Sequence, residues 1–286
     1  LGGRRVTDGL AMEIRLDNPS HARAASIVSA INNRFALGPG IPTPPARGRS
    51  SASIALKVPP AFMDTPDEFI RIVQYTQIDQ AFPEEYAKRY VDEIIKEPAR
   101  ADELAWCLRA LGHRALAFLP RLYDYPELAP RLAGLRTGAA LGDIRTAKPL
   151  QAIARGEGAP SPSMRAEALK YLGRLGADPS ITLFLREMVD QPELEVKIAA
   201  YEALVERMDV QRVEYPGKFF VDRVPAKDPL IYVKQQGLPT IVLFGDPFDL
   251  RPAVVSAWSD RFMLTSDENR PGYARVFYRD YRTGSV

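Results

Sequence analysis

The middle of the chain contains the stretch Arg165-Ala166-Glu167-Ala168-Leu169-Lys170-Tyr171-Leu172-Gly173, whose ending is a close variant of a phrase found twice earlier in this third of the chain. The earlier copies are Ala110-Leu111-Gly112 and Ala140-Leu141-Gly142, and the intervals between the copies are 30 and 31 residues. Ala203-Leu204 extends the same register. A recurrence of this length predicts stacked pairs of helices, because a single pair cannot bury its apolar face alone.

The segments between these phrases are also typical of helices. One example is residues 181–188, which follow the helix-start signal Asp178-Pro179-Ser180. The phrases resemble short HEAT repeats, with about four units between Pro83 and Asp209, although standard units have roughly 40–47 residues. The sequence therefore predicts a HEAT-like helical solenoid over residues 81–209, with the small residues letting neighbouring helices approach and the leucines filling the seams.

The first third of the chain alternates between strand and helix patterns. Residues 10–17 place large apolar side chains at even positions and charges at odd positions, which indicates a strand with one buried face. Ser20 can cap the helix that follows. That helix has one apolar stripe, formed by Ala24, Ile27, Val28, Ile31 and Phe35.

A second strand and a second helix follow in the same order. Residues 38–50 contain four prolines and two arginines, and we expect them to form a solvated loop. The alternation at 54–58 predicts a strand, which Pro59-Pro60 ends. Thr65 and Glu68 predict a capping box with Pro66 at the first helical position, and the buried face is formed by Phe69, Ile72 and Val73. We predict that residues 1–80 form a small α/β domain with both helices on one face.

The last third of the chain has short β-rich segments separated by glycine and proline. These segments are residues 219–221, 230–233, 240–244, 262–264 and 274–278. They predict a small β-rich domain over residues 210–286. The whole chain is therefore expected to be a multi-domain α+β protein.

Composition limits the classes of partner and compartment. The chain has 286 residues, 38 Lys and Arg against 36 Asp and Glu, and one cysteine. This balance argues against nucleic acid or anionic lipid as the main partner. A single cysteine excludes a disulfide framework within the chain. The sequence contains no run of about 18 apolar residues, so it predicts no transmembrane helix. Because the chain begins at Leu1, we expect it to be a piece of a longer protein.

The sequence lacks the familiar motifs of catalytic sites. Gly217-Lys218 has neither the glycine nor the hydroxyl residue of a phosphate-binding loop, and no Gly-x-Ser-x-Gly or zincin motif occurs. The two histidines, His21 and His113, lie in different predicted domains, so both are expected at the surface. Cys107 is expected to be a small buried core residue.

Acidic pairs offer no better candidates. Glu84-Glu85 and the pair Glu193 and Glu195 open predicted helices, where the helix dipole already favours negative charge. The sequence therefore predicts no catalytic, cofactor-binding or metal-binding residues, no cofactor, and a protein that is not an enzyme.

The segment from Arg270 to Arg282 interleaves basic and aromatic side chains. Such a pattern can bind single-stranded nucleic acid. As a strand, however, it places Arg275, Phe277, Arg279 and Tyr281 on one face, which also describes a half-exposed sheet face. Given the balanced charge, we expect the second interpretation and no nucleic-acid partner.

The order of elements in the first third resembles the ring-forming domain of bacterial flagellar P-ring proteins. The resemblance covers about 70 of the 286 residues. It rests on Met12-Glu13-Ile14-Arg15-Leu16, Ala24-Ala25-Ser26-Ile27-Val28-Ser29-Ala30-Ile31-Asn32, Ile54-Ala55-Leu56-Lys57-Val58-Pro59 and Phe69-Ile70-Arg71-Ile72. Residues 241–245, Ile-Val-Leu-Phe-Gly, and the ending 282–286 are similar to further segments of that family.

This resemblance implies a non-enzymatic subunit of the ring around the flagellar rod, located in the periplasm or cell envelope. It implies self-association and protein partners, with the helical repeats as a module for protein contacts. Two alternatives remain open. One is a HEAT-repeat scaffold outside the flagellum, and the other is a HEAT-type lyase acting on bilin chromophores, for which Cys107 is the candidate reactive residue.

Overall fold

A computed structural model describes residues 11–38, 40–63, 65–79, 81–215, 219–234, 238–246, 254–258, 261–267, 269–270 and 273–279. Within these ranges the helices are α1 (His21–Arg34), α2 (Pro66–Tyr75), α3 (Pro83–Lys96), α4 (Ala101–Leu111), α5 (Pro120–Tyr123), α6 (Leu128–Ala140), α7 (Ala147–Arg155), α8 (Pro162–Arg174), α9 (Pro179–Met188) and α10 (Leu194–Glu206). The strands are β1 (Ala11–Arg15), β2 (Ala46–Gly48), β3 (Ser53–Lys57), β4 (Gln211–Tyr215), β5 (Phe219–Val224), β6 (Leu230–Lys234), β7 (Thr240–Phe244), β8 (Val254–Ala257), β9 (Phe262–Ser266) and β10 (Ala274–Tyr278). The predicted mixture of helices and sheets is confirmed.

The chain divides into two compact units. One unit covers the described residues of Arg4–Ala152 together with Arg174–Gly176. The other covers Ile153–Gly173 and the described residues from Ala177 onward. The three-domain division at residues 80 and 209 stays a prediction.

The first unit begins with a small sheet covered by two helices. β1 pairs antiparallel with β3, with Met12 opposite Leu56, and the strand order is β1-β3-β2. The side chains of α1, α2 and β3 share one core, whose largest members are Phe35, Phe69, Ile31 and Ile54. The rings of Phe35 and Phe69 lie 4.9 Å apart between centroids. The predicted strands and helices are present in the expected sequence, with one additional strand, β2, between α1 and β3.

The expectation of a solvated loop over residues 38–50 is wrong in its last part. Ala46–Gly48 forms the edge strand β2, which pairs antiparallel with β3. The side-chain amide of Asn32 donates to the carbonyl of Ala46 and accepts from its N–H, at 3.0 Å each. These bonds satisfy both backbone polar groups of the buried Ala46.

The capping prediction for α2 is half right. Pro66 is the first residue of the helix, and Ser20 caps α1 by accepting from the N–H of Arg23. Thr65, however, makes no side-chain capping bond at the start of α2. Glu68 binds Arg109 of α4 instead, because a charged donor stabilises a carboxylate more than a backbone N–H does.

Residues 83–206 form helices and turns without a strand, which agrees with the sequence pattern. The three repeated phrases nevertheless occupy different positions. Gly112 and Gly142 follow the ends of α4 and α6 with positive φ angles of 68° and 79°, whereas Gly173 lies inside α8. Leu172 is fully buried, but Leu111 and Leu141 are half-buried. HEAT character therefore remains a prediction.

Two glycines allow close approaches between helices. A Cβ atom on Gly173 would lie 2.8 Å from the Cα of Ala203 in α10. A Cβ atom on Gly138 in α6 would lie 2.2 Å from the hydroxyl oxygen of Tyr123. The small residues of the repeated phrases were expected to permit close packing; Gly173 does so, whereas Gly138 lies outside those phrases.

The described strands of the last third of the chain form two sheets. The β-rich segments of the sequence appear as β5, β6, β7, β9 and β10, and the sequence pattern missed β4 and β8. One sheet has the order β4-β5-β7-β6, with β5 and β7 parallel, and the other has the order β10-β9-β8. The two sheets share a core built around Phe219, Ile241 and Phe262.

The opposite face of the four-stranded sheet contacts α10. The ring of Tyr201 lies 5.8 Å from that of Phe244 in β7. Asp222 of β5, on the same face, is fully buried and accepts two 2.7 Å bonds from the guanidinium of Arg212. Helix and sheet are therefore joined by the aromatic contact and by the hydrogen bond that the hydroxyl of Tyr201 donates to Asp222, while Arg212 pairs with Asp222 within the sheet.

None of the helices within the described ranges is long and apolar enough to cross a membrane.

Candidate functional site

A cleft of about 440 Å³ opens in the first unit at the C-terminal end of α1. One wall is formed by Asn32, Asn33 and Arg34 of α1. The opposite wall includes Gln77 and Asp79, which precede α3, and the floor includes Ala110, Leu111 and Arg114 at the end of α4. The size lies within the usual range of ligand sites, and we take this cleft as the candidate functional site.

Arg34 is fixed in place by a backbone carbonyl. Its Nε and Nη2 atoms donate to the carbonyl oxygen of Arg109, at 3.2 and 2.9 Å. The side chain lies against Gly112, where a Cβ atom would come within 3.4 Å of the guanidinium carbon. The positive φ of Gly112 and this close contact both favour glycine at the position.

A second arginine lies behind the wall. Arg109 is buried, its guanidinium pairs with the carboxylate of Glu68, and its guanidinium carbon lies 4.3 Å from the ring centroid of Trp106. Arg71 contacts the same ring at 5.3 Å. Glu68 also has Arg174 at 3.8 Å. The carboxylate of Glu68 therefore compensates part of the positive charge of Arg109 and Arg174, the two arginines behind the wall.

Burial and the neighbouring charge of Arg109 lower the pKa of Arg34 to about 10. The guanidinium is still protonated at neutral pH, but its charge is less stable than that of a solvated arginine. An anion in the cleft would relieve this cost. The site is therefore suited to binding a negatively charged group.

Metal binding or acid–base chemistry in the cleft would require suitable groups in its lining. Within the described residues no group of three or more His, Cys, Asp or Glu side chains is placed to hold a metal ion. The cleft itself contains one carboxylate, Asp79, whose Oδ1 accepts from the N–H of Ala81 at 3.0 Å.

The structure does not bring the histidines and the cysteine together into a site. His21 and His113 are exposed, as the sequence predicts. Cys107 is buried in α4, which is also as predicted. Burial, followed by the negative charge of Glu103, raises the pKa of the Cys107 thiol to about 11, so this thiol is a poor nucleophile near neutral pH.

The acidic pairs open helices, as expected. Glu84 and Glu85 lie in the first turn of α3, and Glu195 lies in the first turn of α10. Glu193 precedes α10 and accepts a 2.8 Å bond from the buried Arg165 of α8. These carboxylates therefore lie at helix starts, and Glu193 also holds the guanidinium of Arg165.

The basic and aromatic segment is described only in part. Residues 271–272 and 280–282 lie outside the described residues, which leaves out Tyr281 and Arg282. Arg275, Phe277 and Arg279 are exposed, and Arg275 pairs with Asp267 at 2.9 Å. Arg275 and Phe277 lie in β10 and Arg279 just follows it, so the half-exposed face that the sequence predicts through Tyr281 stays a prediction.

Sequence reasoning missed the arginine cluster of the cleft. Arg34, Glu68 and Arg109 are far apart in the chain and match no motif. The one available signal was Arg34 in the last turn of α1, and a basic residue at that place usually indicates only a favourable interaction with the helix dipole. Comparison of the chain with protein families, with curated proteins and with solved structures finds no match.

Proposed function

We propose that this protein is a non-enzymatic structural subunit of the flagellar P-ring type, which acts in the cell envelope by associating with copies of itself. The observation that supports the proposal most strongly concerns the residues of the sequence resemblance. The stretches 12–16, 24–32, 54–59 and 69–72 all contribute to one core of strands and helices. A compact layer of this kind can pack side by side with further copies.

The sheet of this layer has an edge that suits such association. β1 pairs with β3 on one side, and no strand within the described ranges pairs with its other side. Met12 and Ile14 of β1 are only half-buried, although they face the core. An unpaired edge with incompletely covered apolar side chains favours contact with another chain.

The other edge is less available. At β2, the side chain of Asn32 already bonds both backbone groups of Ala46. The two edges of the sheet therefore differ. A ring requires heterologous contacts, in which the β1 edge of one copy meets a different side of the next copy.

Crosslinking between two introduced cysteines, each placed in a separate variant, tests the proposal. Arg23→Cys lies on α1 and Arg71→Cys on α2, and both positions are exposed. Mixing the two variants at high concentration should give crosslinks between the variants, with fewer within either variant, because heterologous contacts join different sides. The unmodified chain is the control, since its single cysteine, Cys107, is buried.

The alternatives predict different results. A HEAT-repeat scaffold outside the flagellum predicts crosslinks to unrelated proteins and none between copies. A bilin lyase that depends on Cys107 predicts a chromophore-transfer activity that Cys107→Ser abolishes, and the buried thiol with its raised pKa gives that alternative no support.

A further inference from the structure

The cleft at the end of α1 presents two arginines with unused donors. Arg34 directs Nε and Nη2 to the carbonyl of Arg109, and within the described chain its Nη1 has no partner. Arg114 is exposed, and its guanidinium makes neither a hydrogen bond nor an ion pair with any described residue. Both side chains line the same cavity.

The charge of these arginines is compensated only in part, since Glu68 acts on Arg34 at a distance and forms its ion pairs with other arginines. A carbonyl group holds Arg34 without neutralising it, while Glu68 is engaged by Arg109 and Arg174. Asp79, the single carboxylate in the lining, already accepts the N–H of Ala81. The lining therefore has an excess of positive charge, and Arg34 is oriented before any ligand arrives.

Large apolar side chains are exposed directly beside the lining residues. Leu37 follows Ala36 and is 63% exposed, Ile78 lies between Gln77 and Asp79 and is 53% exposed, and Phe82 precedes Pro83 and is 62% exposed. Each of these residues is a chain neighbour of a residue in the cleft wall. Exposed apolar surface therefore occurs within one residue of the cleft wall at three places.

We propose that this cleft binds an extended segment of a partner protein in which a carboxylate side chain lies next to an apolar side chain. Carboxylate is a good match for a guanidinium, since it accepts paired hydrogen bonds. A small inorganic anion would leave the apolar surroundings and most of the 440 Å³ unused. The proposal stands independently of ring formation, because it concerns a different surface from the β1 edge.

Fluorescence anisotropy with a defined peptide tests this inference. The probe is a short, end-blocked, fluorescein-labelled peptide in which Asp and Leu alternate, and it should bind the full chain with a saturable curve. Arg114→Gln should weaken binding about tenfold, since a hydrogen bond to a charged group contributes on that scale. Arg34→Lys, which keeps the charge but loses the paired geometry, should weaken binding by a similar factor.

Three controls make the result decisive. Arg23→Gln removes an exposed arginine of α1 that is outside the cleft lining, and it should leave binding unchanged. A peptide with Asn in place of Asp, and one with Ser in place of Leu, should each bind about tenfold more weakly. Thermal unfolding of each variant verifies that it is folded.

Several outcomes would overturn the inference. These are the absence of saturable binding by the acidic peptide, equal binding of the Asn peptide, or an equal loss in Arg23→Gln. Binding of inorganic phosphate that Arg114→Gln abolishes, without binding of the peptide, would instead assign the cleft to a small anion.

Discussion

The hydroxyl of Tyr201 in α10 donates a 2.6 Å hydrogen bond to Oδ2 of Asp222 in β5, and both residues are buried. Arg212 completes the arrangement from β4. The same three residue types recur in the first unit, where Tyr123 donates to Asp143 at 2.6 Å and Arg145 pairs with that carboxylate. In both cases a buried carboxylate is satisfied by a phenol and a guanidinium, so each partner should contribute measurably to stability.

Tyr201→Phe should lower the free energy of unfolding by about 1–3 kcal/mol, because it leaves the buried carboxylate of Asp222 with one donor fewer. Urea denaturation measures the change. Tyr215→Phe is the matched control, since Tyr215 is 47% exposed and its hydroxyl has no partner in the described chain; it should change stability by less than about 0.5 kcal/mol. Equal effects of the two substitutions would contradict the role of the buried bond.

Stability should also fall with rising pH in the alkaline range. Burial, followed by the bond to Asp222, raises the pKa of Tyr201 above the ordinary value of 10.0. Above pH 10 the unfolded phenol loses its proton while the folded phenol keeps it, so unfolding becomes more favourable as pH rises. Urea denaturation across this range should give a shallower decline for Tyr201→Phe than for the unmodified chain, and parallel declines would refute the assignment.

The thiol of Cys107 should react slowly in the folded protein. Its pKa is raised from 9.0 to about 11 by burial and by Glu103, and the thiolate is the reactive form. The midpoint of the pH dependence of iodoacetamide alkylation should therefore lie near 11 in the native chain and near 9 in urea. The same shift stabilises the fold fully below pH 9, and this contribution is lost as pH rises through about 11. A native midpoint at or below 9 would show that the thiol is not desolvated.

Gly173→Ala should destabilise the second unit by about 1–3 kcal/mol, because the added methyl group would lie 2.8 Å from the Cα of Ala203 and force the two helices apart. Chemical denaturation measures this loss. Gly176→Ala provides the comparison, since an added Cβ there meets nothing within 4 Å. If Gly173→Ala is neutral or stabilising, the close helix contact is not required.

Leu172→Ala should cost about 2–5 kcal/mol, since Leu172 is fully buried and its truncation leaves a cavity. Leu183→Ala in α9 should cost less than about 0.5 kcal/mol, because Leu183 is 59% exposed. Both values come from denaturation of the full chain. A loss of stability below about 0.5 kcal/mol for Leu172→Ala would contradict the burial of Leu172 in the helical core.

Apolar periodicity predicted the elements that bury a regular face. The stripe from Ala24 to Phe35 and the alternation at Ile54 and Leu56 both reappear in one core. β4 was missed because its residues, Gln211–Tyr215, are all exposed and contain too few apolar side chains to mark a buried face. Short edge strands of this kind depend on pairing with a neighbour rather than on their own pattern.

The candidate site was not predictable for a related reason. Arg34, Glu68 and Arg109 meet only after three helices have packed, and each looks like an ordinary surface charge in the sequence. Glu68 shows the difficulty directly. Its spacing from Thr65 favoured a local capping bond, but a distant guanidinium was the stronger partner.

The strand order β4-β5-β7-β6 has a consequence for synthesis on the ribosome. β4 and β5 can pair as soon as both have emerged, since they are neighbours in the chain and in the sheet. Among the described strands β6 pairs with β7 alone, and β7 also provides the parallel partner of β5. Until residue 244 has left the exit tunnel, β6 has no pairing strand in this sheet. The edge of β5 that pairs with β7 is also unpaired until then. Translation through β7 therefore completes the strand pairing of this sheet, while its face toward Phe262 stays uncovered, and prone to aggregation, until β9 has emerged.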